Sequence, residues 1–425
     1  MGHPEFSFLP RQGFDNDTLR NAKIGIYAGK GASHSWLWFV DLFEKKGFVN
    51  LFFLDENLRE QNCLEKLDVL IISGGDTFAV AEALGKQGAR KISGFVENGG
   101  IYIGSCAGAY LPMKSSKEPL HLFNFVNVKI TNLAKVLPES LRRNSKSFAA
   151  YGCDYIFHPV RETVKLRVPN HFYDSGLTEF HAPLYGGPGM THDHPENILA
   201  YYDDFTGETS FLVSRQYAEN TLIGKAAVVR VPYRQGCFYL FGPHLEHPGY
   251  QAANNFLTTV LLKELSEATG ISGFQHHFSK NAERQREVLS GRAAAEIIRN
   301  MKRELSNSRI AASGLEFYPV KWVIGKKVYE PEKIRVFLEA MWKRVKSLEK
   351  GERLVGSPGV LSFLVENMAS VTKEIRQIKN GIDQNLDTLE IAISVFERLQ
   401  KLSINFFDVV FQSIREGQTE RIGEA

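Results

Sequence analysis

The sequence predicts an α/β domain with a mostly parallel sheet, followed by a mainly α-helical C-terminal domain. In the first 275 residues, short apolar runs end in glycine-rich turns and precede amphipathic stretches, the pattern of alternating strands and helices. From residue 276 onward, glycine becomes sparse and apolar residues recur at helical spacing. We therefore expect one domain at residues 1–275 and a second at 276–425, with the boundary near residues 274–279.

The first domain is predicted to contain seven strands. They are residues 23–27, 51–54, 69–72, 100–104, 198–202, 226–231 and 237–241. The first strand is followed by a helix at 36–46. In the second domain, Glu330-Pro331 predicts the start of a helix that runs to residue 349, and residues 314–329 are expected to form a loop or a small hairpin.

A long helix with a heptad seam is predicted after Pro358. Its apolar residues alternate three and four positions apart: Leu361, Leu364, Met368, Val371, Ile375, Ile378, Ile382, Leu389, Phe396 and Leu399. Asn385 falls on the seam, where a buried amide can fix the register. The seam fits packing within one chain, and it equally fits an intermolecular coiled coil that builds a homo-oligomer or recruits a protein partner.

Composition limits the class of protein. The chain has 425 residues, is 43% hydrophobic and 23% charged, and carries a formal net charge of +3, so neither nucleic acid nor a membrane surface is indicated as a partner. The sequence has no basic leader followed by an apolar stretch and no run of about 18 apolar residues. Four cysteines without a CxxC pair fit a reducing cytoplasm.

The segment 104–109, Gly-Ser-Cys-Ala-Gly-Ala, has the features of a nucleophile elbow. It follows a predicted strand and opens a helix of small residues. Its glycines permit a strained turn that would present the Cys106 sulfur near the helix N-terminus, where the helix dipole favours the thiolate. Cys106 is therefore the candidate nucleophile, and an unreactive cysteine in a tight turn is the alternative.

Two His-x-Glu triplets could supply the base and the carboxylate that orients it. His194-Pro195-Glu196 lies in a predicted surface loop, whereas His244-Leu245-Glu246 directly follows the strand 237–241. The carboxyl ends of parallel strands share one rim with the elbow, so we favour His244 and Glu246.

Paired glycines also follow the strand 69–72, in Ser73-Gly74-Gly75-Asp76-Thr77. Backbone amides at such a turn can point toward a ligand, and the amides of Gly75 and Ala107 could form an oxyanion hole. Gly74, Asp76 and Thr77 are expected to contact the substrate. A turn that only reverses the chain is the alternative.

The order of these features resembles that of class I glutamine amidotransferases over about 250 residues. More specifically, four segments resemble the amidotransferase-like N-terminal domain of eukaryotic biotin-protein ligases: residues 27–33, 74–76, 103–110 and 185–188, the last reading Tyr-Gly-Gly-Pro. The resemblance implies a flavodoxin-like sheet flanked by helices, and a pocket to which Tyr110, Tyr185, Gly186, Gly187 and Pro188 contribute.

Two departures from these families bear on activity. Tyr110 stands where glutamine-hydrolysing relatives usually have glutamine, and the chain lacks the Gly-Arg-Gly-Arg type biotin-binding motif. The resemblance therefore does not imply biotin-ligase activity.

The leading hypothesis is a cysteine hydrolase, amidotransferase-like, that acts on a small amide or acyl substrate and needs no metal or cofactor. One alternative is a catalytically inactive ligand-binding or regulatory module whose helical C-terminal domain recruits a partner. Another is a hydrolase resembling peptidase E and cyanophycinase, which use a serine at the elbow. Here Ser105 is adjacent to the elbow position but does not occupy it.

Overall fold

Five parallel strands form the centre of a twelve-stranded sheet. They are β1 (Ile24–Tyr27), β2 (Leu51–Leu54), β3 (Val69–Ile72), β4 (Ile101–Ser105) and β12 (Gly236–Phe241). Their spatial order is β2-β1-β3-β4-β12, which is the flavodoxin-like order 2-1-3-4-5. The parallel, helix-flanked centre that the sequence predicted is thereby confirmed.

The computed structural model describes residues 16–59, 62–144, 155–170, 176–271, 287–325, 327–351 and 353–423. The domain boundary predicted near residues 274–279 lies outside these ranges. Cys153, one of the four cysteines, also lies outside them.

Helices flank the sheet in the first region and dominate the C-terminal region. The first-region helices are α1 (Asn16–Asn21), α2 (Trp36–Lys46), α3 (Thr77–Glu97), α4 (Ala107–Tyr110), α5 (Glu139–Asn144), α6 (Arg215–Leu222) and α7 (Gln251–Ile271). The C-terminal helices are α8 (Gly291–Leu315), α9 (Pro331–Gly351), α10 (Pro358–Asp383) and α11 (Leu389–Gly423). None of these described helices combines the length and the apolar composition that crossing a membrane requires.

Seven antiparallel strands extend the sheet beyond β12. They are β5 (Lys129–Ile130), β6 (Val160–Arg167), β7 (Glu179–Leu184), β8 (Met190–Thr191), β9 (Ile198–Phe205), β10 (Ser210–Phe211) and β11 (Ala226–Tyr233). The expectation of a mostly parallel sheet therefore holds only for the centre. Strands β6 and β7 were not predicted, because polar residues on each strand interrupt the apolar pattern: Lys165 of β6 forms an ion pair with Glu179 of β7 at 2.7 Å.

Two small sheets lie in the C-terminal region. Strand β13 (Glu287–Ser290) pairs with β16 (Arg353–Gly356), and β14 (Trp322–Ile324) pairs with β15 (Lys327–Tyr329) as a hairpin. The hairpin resolves the ambiguity that the sequence left at residues 314–329. The hairpin packs on the C-terminal helices, since Trp322 Nε1 donates to Thr388 Oγ1 at 2.9 Å and Tyr329 lies 4.5 Å from Phe396, ring to ring.

The heptad seam occupies two helices, α10 and α11, and not one long helix. Asn385, placed on the seam by the sequence pattern, is exposed between them and has a left-handed backbone with φ 54°. Asparagine tolerates this conformation better than most residues, and the amide of Leu386 closes the end of α10 by donating to Gly381 O at 2.8 Å. Seam residues from Leu361 to Ile378 are buried against α8 and α11 of the same chain.

An aromatic cluster joins α11 to the first region. Phe407 is fully buried, and its ring centroid lies 5.4 Å from that of Trp36 and 5.5 Å from that of Phe53. Beside it, the buried guanidinium of Arg344 donates to Asp41 at 2.5 Å and to Glu44 at 2.8 Å, both on α2. The C-terminal helices and the first region thus share one hydrophobic core.

We expect Phe407→Ala to lower the free energy of unfolding by about 3–5 kcal/mol, because it removes a buried ring from between Trp36 and Phe53. Urea denaturation would measure the change. Phe317→Ala is the matched control: Phe317 is 88% exposed, and its removal should cost less than about 0.5 kcal/mol. Equal effects of the two substitutions would contradict a core shared across the chain.

Candidate active site

Cys106 lies between β4 and α4 with a strained backbone. Its φ of 52° and ψ of −104° are rare for a residue with a side chain. Such strain persists only where surrounding structure enforces it, and it concentrates at functional sites. The amide of Cys106 donates to Phe241 O at 2.9 Å, which ties the turn to the end of β12.

Two glycines make this turn possible. A Cβ on Gly104 would lie 2.3 Å from Gly108 O, and one on Gly108 would lie 1.8 Å from Ile72 O. Both obstacles are backbone atoms, so no side-chain movement could relieve them. The close packing of strand, turn and helix that the sequence predicted is therefore present.

His244 and Glu246 form a buried pair opposite Cys106. The Nδ1 of His244 lies 2.6 Å from Glu246 Oε1, and the two residues are 4% and 0% exposed. Ser105 Oγ also donates to both carboxylate oxygens at 3.0 Å, while the backbone amide of His244 donates to Pro183 O. These contacts fix the imidazole so that its other edge faces the thiol.

Competing effects set the charge of His244. Burial lowers the pKa of His244. The charges of Glu246 and Cys106, and their hydrogen bonds to the ring, act in the opposite direction. Together they outweigh burial and raise the pKa above its ordinary value of 6.5. The site therefore favours an imidazolium between the carboxylate and the sulfur.

The other His-x-Glu triplet lies elsewhere. His194 and Glu196 pair at 3.2 Å in an exposed segment before β9, with side chains 67% and 68% exposed. This pair does not line the cavity that contains Cys106.

Gly75 and Ala107, whose amides were predicted to form an oxyanion hole, both line the cavity that contains Cys106. Neither donates a hydrogen bond to another residue in the part of the chain that the structure describes. A Cβ on Gly75 would lie 2.1 Å from Gly31 O, so only glycine fits this turn. Gly74 lies against the catalytic histidine candidate: a Cβ there would be 2.7 Å from His244 Cε1.

Asp76 and Thr77 line the cavity, and their side chains also form hydrogen bonds at the start of α3 and to the elbow. Asp76 Oδ1 accepts from the amides of Phe78 and Ala79 and so caps α3. Thr77 Oγ1 donates to Ala107 O at 3.1 Å and links α3 to the elbow.

The segment predicted to line the pocket, residues 185–188, does so only in part. Tyr185 and Gly186 line the cavity, and Tyr110 beside them donates to Gly186 O at 3.1 Å. Gly187 and Pro188 do not, which corrects the prediction. They support the sheet instead: a Cβ on Gly187 would lie 1.8 Å from Gly242 O, and Pro188 O accepts from Tyr202 Oη.

The cavity above Cys106 measures about 1360 Å³ and is lined in part by residues that the sequence pattern did not predict to be functional. Trp38 lies edge-on to His244 at 5.4 Å and to His247 at 4.5 Å, ring to ring. His34 and His158 also line the cavity, as does Arg161. The sequence offered a signal for Trp38, because this large aromatic residue lies in the first turn of the helix that follows the first glycine-rich loop.

The β14–β15 hairpin of the C-terminal region forms one wall of this cavity. Its turn residue Gly325 reaches Asp76, since a Cβ there would lie 3.5 Å from Asp76 Oδ2. Val323, Lys327 and Val328 line the cavity. Nothing in the local sequence pattern of the hairpin indicates this placement.

Among the described residues, no group of three or more His, Cys, Asp or Glu side chains is arranged to hold a metal ion.

Residues 24–120 match the family model described as biotin-protein ligase, N terminal. This segment is similar to the domain that the model describes. The match covers 97 of the 425 residues and includes the glycine pair at 74–75, Cys106 and the elbow, but neither His244 nor the C-terminal region.

Three solved structures are among those to which this chain is similar. A provisionally described GMP synthase component of Thermoplasma acidophilum is 12% identical, with a TM-score of 0.36, 59% of this chain covered and 97% of that one. A provisionally described ThuA-like protein of Bacteroides uniformis is 14% identical, with a TM-score of 0.32 and coverage of 58% and 91%. A β-galactosidase of Bacillus circulans is 13% identical, with a TM-score of 0.31, and the likeness spans 59% of this chain and 31% of that one. The comparison with curated proteins found no match.

We expect Glu246→Gln to lower the pKa of His244, because a neutral amide no longer offsets burial. An NMR titration of the His244 ring would measure it. Because the folded pKa is raised in the native protein, the stability contributed by this pair is complete below pH 6.5 and is lost as the pH rises through the folded pKa. In Glu246→Gln, this loss of stability at alkaline pH should be absent. Glu196→Gln, at the exposed pair, is the control, and an unchanged His244 titration in Glu246→Gln would rule out the carboxylate as the cause.

Proposed function

We propose that this protein is an amidotransferase-like cysteine hydrolase that acts on an amide or related acyl substrate. The observation that carries the proposal is the buried His244–Glu246 pair directed at Cys106 on its strained turn. A histidine held between a carboxylate and a thiol is the arrangement that activates cysteine as a nucleophile.

In the proposed reaction, the Cys106 thiolate attacks the substrate carbonyl and forms a tetrahedral intermediate. The amides of Gly75 and Ala107, which have no other acceptor among the described residues, stabilise its oxyanion. The His244 imidazolium gives its proton to the leaving nitrogen, and the C–N bond breaks to leave a thioester on Cys106.

Water completes the cycle. Neutral His244 removes a proton from a water molecule, the resulting hydroxide attacks the thioester, and the acid product leaves as the thiolate returns. Glu246 stabilises the imidazolium in both halves and fixes which ring nitrogen faces the sulfur.

The contacts of Ser105 speak against a serine nucleophile. Ser105 is fully buried and its hydroxyl donates to Glu246, away from the cavity. Its role in the proposal is to supply a hydrogen bond that holds the carboxylate. The peptidase E-like alternative would require this hydroxyl to reach a substrate.

The shape of the cavity bears on the substrate. At about 1360 Å³ it exceeds the usual range for small-molecule sites, roughly 300–1,000 Å³. Tyr110 occupies the position of the glutamine found in glutamine-hydrolysing relatives, and its hydroxyl is engaged by Gly186 O and Asn132. We therefore propose a substrate larger than free glutamine.

We expect His244→Ala to slow alkylation of Cys106 by iodoacetamide at pH 7 by about tenfold or more, because the imidazolium that stabilises the thiolate is lost. Mass spectrometry of native protein quenched over time would give the rate at Cys106. His194→Ala, which removes the same residue type from an exposed His-x-Glu triplet, should leave the rate unchanged.

A rate at Cys106 that matches a free thiol and does not respond to His244→Ala would remove the basis for an activated nucleophile. The inactive ligand-binding module would then be the better account of the site. If Cys106 is activated, a screen of amide and thioester compounds should yield a turnover that Cys106→Ala abolishes.

A further inference from the structure

Basic side chains dominate the cavity above Cys106. Among the described residues that line it, eight are lysine or arginine and three are aspartate or glutamate. Two of the three acidic side chains have structural partners: Asp76 caps α3, and Glu330 forms an ion pair with Lys321 at 2.8 Å. The described lining of the cavity therefore carries an excess of positive charge.

One of these cations, Lys327, has its electrostatic neighbours at the candidate active site. It belongs to the β14–β15 hairpin, lines the cavity, and has Cys106 and Asp76 as its electrostatic neighbours. Among the described residues it has no hydrogen bond or ion pair. Burial lowers its pKa, and Cys106 and Asp76 only partly oppose that effect.

Lys333, at the start of α9, adds a second charge. Its Nζ donates to Val328 O of the hairpin and lies 5.0 Å from the centre of the Tyr329 ring, so the ammonium is fixed beside the hairpin. Burial, followed by the neighbouring charge of Lys327, lowers the pKa of Lys333 to about 8.

Two histidines that line the cavity, His34 and His158, have pKa values lowered by burial and by these cations. Burial and then Lys327 and Lys333 lower the pKa of His34 to about 3. Burial followed by Arg161 and Lys327 does the same for the pKa of His158. His34 Nδ1 is buried and has no hydrogen-bond partner among the described residues. These side chains remain neutral at pH 7 because they are buried in a cavity that already holds positive charge.

We propose that the substrate carries an oxyanion group, a carboxylate or a phosphate, which Lys327 and Lys333 bind while the scissile carbonyl lies at Cys106. This rests on the proposed function for the position of the carbonyl. Two half-buried lysines on one wall of a cavity, of which Lys327 has no hydrogen bond or ion pair among the described residues, favour an anionic ligand over a neutral one of equal size. The hairpin thereby makes the C-terminal region part of the substrate-binding site.

Two alkylating agents that differ in charge test the proposal directly. Iodoacetate and iodoacetamide both lose iodide when the thiolate forms the new S–C bond, but only iodoacetate is an anion. The ratio of their rates at Cys106, divided by the same ratio for free cysteine, reports anion preference. We expect the normalised ratio to be about five in the native protein and to fall toward one in Lys327→Met.

Lys321→Met is the matched control, since Lys321 lines the cavity rim but is paired with Glu330, and it should leave the ratio unchanged. Circular dichroism would show that both variants fold. Rapid labelling by iodoacetamide, with a ratio near one that Lys327→Met does not alter, would overturn the anionic substrate and leave the cysteine hydrolase intact.

Thermal unfolding with inorganic phosphate or with glutarate tests anion binding without using Cys106. We expect one of these anions to raise the melting temperature of the native protein, and the rise to be lost in Lys327→Met and kept in Lys321→Met. Which anion acts distinguishes phosphate from carboxylate chemistry. If labelling of Cys106 fails with both agents, the proposed function fails, and the melting experiment alone decides anion binding: no rise with either anion would overturn it.

Discussion

The strained backbone of Cys106 is the constraint on which the rest of the site depends. Gly104 and Gly108 allow β4, the turn and α4 to approach until backbone meets backbone, and Ile72 O of β3 limits the approach. Backbone atoms cannot rotate away as side chains can. The sulfur is therefore fixed relative to the ends of β3 and β12, and those strand ends carry the glycine pair at 74–75 and His244.

The C-terminal helices extend this rigidity to a hairpin that is distant in sequence. Phe407 packs against Trp36 and Phe53, and Arg344 binds two carboxylates of α2, so these helices share a core with the parallel sheet. The hairpin is held on these helices by Trp322 and Tyr329. Its position over Cys106 follows from packing on both sides, which is why a lysine from the C-terminal region can contribute to a site centred on residue 106.

The sequence predicted the parallel centre and the elbow well because both depend on local patterns. Fully buried strands such as 69–72 are short apolar runs bounded by turns, and strand ends locate Cys106, Gly75 and His244 on one rim. Strand β6 was not predicted because its charged residues obscure the alternation of apolar and polar positions. The sequence pattern placed Asn385 inside one long helix because the heptad spacing continues across the turn between α10 and α11. Lys327 could not be found, since its approach to Cys106 depends on tertiary packing between segments more than 200 residues apart.

Charge balance connects the triad to the hairpin. In the proposed mechanism, a Cys106 thiolate, a His244 imidazolium and a Glu246 carboxylate together carry one excess negative charge, which is costly because His244 and Glu246 are buried. Lys327, whose electrostatic neighbours include Cys106, offsets that charge. Lys333 then remains as a second cation beside the hairpin. In the proposal an anionic substrate neutralises it, so the same hairpin would favour the thiolate before binding and select the ligand that approaches it.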